Sequence, residues 1–73
     1  MKVIWETEDI KPGRRYSKKG IGENWIIGYL SDTDGEDRYV SVSELDGMVS
    51  VPYTTERMAQ MLTENGFMPV ELL

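Results

Sequence analysis

Two Asp-Gly pairs, Asp34-Gly35 and Asp46-Gly47, constrain this chain more than any other feature, because each lies between runs of β-branched and aromatic residues. Such pairs favour type I′ turns, whose two central residues need positive φ, and they are a strong local hairpin signal. Two-residue turns at both places would set Tyr29 opposite Val40, Ile27 opposite Val42 and Trp25 opposite Glu44. The second hairpin would then pair Val40 with Tyr53, Val42 with Val51 and Glu44 with Val49. Because successive strand side chains alternate faces, one face would collect Trp25, Ile27, Tyr29, Val40, Val42, Val49, Val51 and Tyr53. The other face, with Ile26, Leu30, Tyr39, Met48 and Ser50, is too apolar for free solvent and too rich in serine for a core. Either the terminal segments or a partner would cover it.

A helix follows the meander. Thr54 is a good N-cap, Glu56 suits the positive end of the helix dipole, and Tyr53 and Met58 have the spacing of a hydrophobic staple. Met58, Ala59, Met61 and Leu62 form one apolar stripe. Gly66 ends the helix, with Phe67 placed for a Schellman motif. Phe67 to Leu73, broken by Pro69, reads as an edge strand or extended tail. At the other end, Lys2 to Glu6 reads as a short strand. Thr7 to Asn24 reads as mostly loop and the most mobile part, with Arg15-Tyr16-Ser17 as a brief strand within it.

The expected organisation is one domain over 1–73, loop over 7–24, a core meander over 24–53 and a helix over 55–65. The fold class is α+β: a three-stranded antiparallel meander packed by one C-terminal helix, with short flanking strands. A small SH3-like barrel is the alternative. With 73 residues the core is small and stability modest.

Composition excludes much chemistry. The chain has no Cys and no His, so disulfides, thiolate metal sites and imidazole bases are absent. No apolar run approaches the ~18 residues that span a bilayer, and the acidic N-terminus is unlike a signal peptide. Asp32 to Asp37 superficially resembles a calcium loop, but its Gly stands fourth where an EF-hand needs it sixth, and Ser43 stands where the bidentate Glu belongs. An exposed hairpin tip also leaves Asp32 and Asp34 poor candidates for hydrolytic acids. Gly20-Ile21-Gly22 lacks the strand-then-helix setting of a phosphate loop. No catalytic residue, metal or cofactor is assigned.

Charge is unevenly spread. The formal net charge is −5, yet Lys11, Arg14, Arg15, Lys18 and Lys19 fall within nine positions. This band reads either as a solvated loop or as a phosphate contact, with arginine forks, lysine point charges and Tyr16 for stacking. A small nucleotide- or phosphate-binding module built on residues 11–19 is accordingly one functional reading. Glu6, Glu8 and Asp9 are either solubilising charges or a rim for a basic partner, and Trp5 is either core or an interface anchor.

Over its whole length, and notably in Trp5-Glu6-Thr7-Glu8-Asp9-Ile10-Lys11-Pro12-Gly13-Arg14-Arg15, the chain resembles the small early regulators by which lytic bacteriophages seize host RNA polymerase. The resemblance implies a non-enzymatic protein in the host bacterial cytoplasm. It would bind the N-terminal region of the polymerase β′ subunit near the RNA exit channel, inhibit host promoter transcription and allow antitermination. No motif carries binding residues across. Charge segregation within this sequence assigns docking to Val3, Ile4, Trp5, Glu6, Glu8 and Asp9. It assigns contact with nascent RNA or an elongation factor to Lys11, Arg14, Arg15, Lys18 and Lys19. The protein is expected to act as a monomer without a membrane partner.

Overall fold

A computed structural model of the chain describes residues 3–31 and 35–72. Strand β2 (Asn24–Leu30) is the longest, as its run of Trp, Ile and Tyr suits a pleated, half-buried surface. It pairs antiparallel with β3 (Arg38–Ser43) on one side and with β1 (Arg15–Ser17) on the other. β4 (Met68–Pro69) adds to the far side of β1, so the open sheet runs β3-β2-β1-β4. Helix α1 (Thr55–Glu64) contributes Met58, Ala59 and Leu62 to the core, which makes the fold α+β with one C-terminal helix.

The helix ends follow their sequence signals. Thr54 Oγ1 accepts from the Arg57 amide at 3.2 Å. Gly66 has φ +75, and the amides of Phe67 and Gly66 donate to the carbonyls of Leu62 and Thr63, the two bonds of a Schellman motif.

In the first hairpin the register differs from the expected one by a residue, and in the second Val42 meets Val49, two residues from the expected Val51. Trp25 lies opposite Ser43, Ile27 opposite Ser41, Gly28 opposite Val40 and Tyr29 opposite Tyr39. A one-residue slip moves a strand's whole side-chain set to the other face. Tyr39, Ser41 and Ser43 therefore share the helix-covered face with Trp25 and Ile27, while Val40 and Val42 lie on the opposite face. Two physical causes are visible. The first ladder ends at the pair Leu30 and Arg38, short of the turn the expected register needs; Asp32 and Asp34, read as a hairpin tip, lie outside the described residues. At the second turn only Gly47 has positive φ, so Asp46 cannot belong to a type I′ turn. Instead Asp46 Oδ1 accepts from the Met48 amide and Ser43 Oγ accepts from the Leu45 amide, local bonds that stabilise a wider loop.

The third strand of the meander is reduced to two bridges, Val42–Val49 and Tyr39–Tyr53. These bridges differ in register by one residue, which places a bulge between them. Residues 3–6 form no strand, and Lys2 lies outside the described residues. The brief strand read at Arg15-Tyr16-Ser17 is β1, and it occupies an interior position in the sheet.

Candidate functional site

The residues assigned to docking separate into two groups. Trp5 is only 4% exposed. Its amide donates to Thr63 Oγ1 at 2.8 Å and its indole N–H donates to the Phe67 carbonyl at 3.0 Å. Burial with both donors satisfied makes Trp5 a core residue, so in this fold it cannot enter a partner's pocket. Val3 packs against the same core. The outward group is Ile4, which is 68% exposed, with the exposed Glu6 and Glu8. Residues Thr7–Asp9 form a single 3₁₀ turn, tied by the Glu6 amide donating to Asp9 Oδ2 at 2.8 Å. Asp9 also lies 3.8 Å from Arg14.

The basic band is likewise not one surface. Arg14 Nη2 donates to Glu71 Oε1 at 3.1 Å, and its guanidinium sits 5.5 Å from the Trp5 ring centre. Arg15 grips Glu44 with two bonds of 2.7 and 3.1 Å. That hydrogen-bonded pairing raises the Arg15 pKa further above its ordinary value. Both arginine forks are therefore committed to carboxylates of this chain. Lys18 lies 5.7 Å from the Phe67 ring, whereas Lys11 and Lys19 are exposed. A cavity of about 590 Å³ is lined by Lys18, Lys19, Gly20 and Gly22, with Ser17, Asn24, Met68 and Leu72.

Tyr16, placed in the band for stacking, is 1% exposed and stands at the centre of an aromatic cluster. Trp25 stacks on it at 5.9 Å, and the edges of Trp5 and Phe67 meet it at 6.1 and 5.2 Å. Its hydroxyl hydrogen-bonds with Ser41 Oγ. Burial pushes the phenol above the ordinary tyrosine range; the Ser41 bond pulls it down and Tyr53 adds to the rise.

One arrangement was not assigned from the sequence. Ser43 Oγ donates to Glu23 Oε1 at 2.8 Å, beside a groove of about 280 Å³ lined by Glu23, Trp25, Ser41, Ser43, Asp46, Met48, Val49 and Ser50. The one-residue slip assembles it by bringing Ser41 and Ser43 to the face of Trp25. Its only sequence signal is the mixed apolar and serine character of the Met48–Ser50 stretch.

Among the described residues, no helix is long and apolar enough to cross a membrane. No protein-family model matches the chain, and neither does any curated protein or solved structure.

Proposed function

We propose that this chain is a non-enzymatic phage regulator that binds the N-terminal region of the host RNA polymerase β′ subunit near the RNA exit channel. There it inhibits promoter transcription and allows read-through of terminators. The whole-chain resemblance supports this reading. The structural observation that carries its docking half is Ile4, a bare isoleucine beside Glu6 and Glu8 on a segment anchored by the buried Trp5. An exposed apolar side chain rimmed by acids suits a partner with an apolar pocket and basic surroundings.

With Arg14 and Arg15 occupied, contact with RNA falls to Lys11, Lys18 and Lys19. Titration of the chain against the isolated β′ fragment tests the docking half. Ile4→Asp with Glu8→Lys should weaken binding tenfold or more while leaving thermal unfolding unchanged. Lys11→Glu with Lys19→Glu should spare fragment binding and reduce terminator read-through. Wild-type affinity in the first variant sinks the docking half, and full read-through in the second sinks the RNA half. The cavity beside Lys18 and Lys19 favours a second reading, a phosphate-ligand module. Saturable ATP binding together with no affinity for the β′ fragment would select it.

A further inference from the structure

The segment after β3 is a sheet edge protected at its far end by Pro52 and a bulge, but not along residues 48–51. Natural sheet edges are commonly blunted by lysines, prolines or covering elements. Here Leu45, Met48, Val49 and Val51 are all exposed, Val49 at 59% and Val51 at 68%. No Lys or Arg occurs between Arg38 and Arg57, whereas Glu44, Asp46 and Glu56 do. The backbone bonds of this segment to β3 run through the Gly47, Ser50 and Tyr53 amides and the Met48 and Tyr53 carbonyls. Val49 lies in a bridge between those bonds, opposite Val42. In an antiparallel ladder such a residue turns its own amide and carbonyl away from the neighbouring strand. Among the described residues, the Val49 and Val51 amides donate to nothing.

Beside this edge lies the groove of Glu23, Asp46 and three serines, with Trp25 in its wall. Glu23 and Asp46 use one carboxylate oxygen each, toward Ser43 and Met48. A second oxygen of each remains to accept from a cation. Trp25 adds an apolar wall against which the stem of a long basic side chain can lie.

We propose that the 48–51 edge and this groove together bind an extended segment of another protein that carries lysine or arginine. The segment adds as a strand along the Val49 amide, its apolar side chains cover Val49 and Val51, and one basic side chain enters the groove between Glu23 and Asp46. Charge complementarity selects this occupant. A second copy of the chain would bring Asp46 and its neighbouring acids against the same acids, in a molecule of net charge −5. The inference is independent of which protein supplies the segment and of the polymerase reading.

The test uses the full chain and a blocked synthetic peptide of alternating lysine and valine. Controls are an alternating glutamate-valine peptide and a lysine-glycine peptide of equal charge. Amide hydrogen exchange should slow at Val49 and Val51 on adding the lysine-valine peptide. Glu23→Gln with Asp46→Asn keeps the acceptors for Ser43 and Met48 but removes both charges, and should weaken binding tenfold or more. Val49→Pro removes the outward amide without touching a bond to β3, and should weaken binding comparably while leaving peptide-free unfolding unchanged. The proposal is overturned if Val49 and Val51 stay unprotected, if the lysine-glycine peptide binds equally well, or if the charge-neutral variant keeps its affinity. Self-association of the free chain through the same edge overturns it too.

Discussion

The two faces of the sheet solve the burial problem in different ways. The helix-covered face is aromatic and partly polar: Tyr16, Trp25, Trp5 and Phe67 pack ring on ring, and Ser41 and Ser43 each have a hydroxyl partner. The opposite face is aliphatic, with Ile26, Val40 and Val42 around a glycine that leaves Val40 room. A serine under a helix is tolerable because its hydroxyl is satisfied; unsatisfied, it would cost about 1–3 kcal/mol. The valines under no helix divide: Val40 is buried beside Gly28, whereas Val49 and Val51 stay exposed. Polarity along the strands is therefore a poor guide to which face is inside.

The largest expected effect tests whether the covered face is the core. Leu62 is fully buried on the helix side. Leu62→Ala should lose ~2–5 kcal/mol in chemical denaturation, from lost burial and the cavity left behind. A loss under about 1 kcal/mol would mean that the helix contributes little to the core.

Helix boundaries, caps and fold class were legible because their signals are local: Thr54, Gly66 and the Met58–Leu62 stripe act within one or two turns. The register was not. It depends on how two loops close, and at the Asp46-Gly47 loop neighbouring side chains compete for the backbone. Ser43 and Asp46 cap a wider turn through their own side chains, an outcome no face count along the strands reveals. The candidate site failed for a related reason. Trp5 and Arg14 lie far apart from Phe67 and Glu71 in sequence, and only the docking of β4 beside β1 brings them together. A basic run was visible, but not the carboxylates that pair with two of its five members, Arg14 and Arg15.

A second, smaller effect sharpens the difference between the faces. Tyr16→Phe leaves Ser41 Oγ buried without its partner and should cost ~1–3 kcal/mol. Adding Ser41→Ala should recover most of that loss, since removing both polar groups is nearly neutral. The same phenol gives an alkaline signature. Its folded pKa is raised by burial, so the neutral form is favoured in the fold. Its contribution is fully present below the unfolded tyrosine value of about 10 and is lost as pH rises through the folded value. Tyr16→Phe should flatten that part of the stability profile, and an unchanged profile would show that Tyr16 does not carry it.

The smallest effect belongs to the aliphatic face, and its sign carries the information. A methyl at Gly28 would lie 3.0 Å from Val40 Cγ2 and 3.7 Å from Val42 Cγ2. Gly28 has no positive φ, so alanine meets no backbone strain there. Two terms oppose each other. Replacing a strand glycine recovers about 0.5–1 kcal/mol of unfolded-chain entropy, while crowding a packed position costs about 1–3 kcal/mol. Val40 is itself buried and cannot swing freely into solvent, so crowding should win and Gly28→Ala should lose about 1 kcal/mol. The cause is separable from the backbone by a double-mutant cycle. Val40→Ala alone loses buried methyls, but combined with Gly28→Ala it removes the clash, so the pair should be less destabilising than the sum of the singles. A strictly additive pair would mean that Val40 does not lean on Gly28. The glycine would then fix neither the close approach of β2 and β3 nor the register that puts the valines outside.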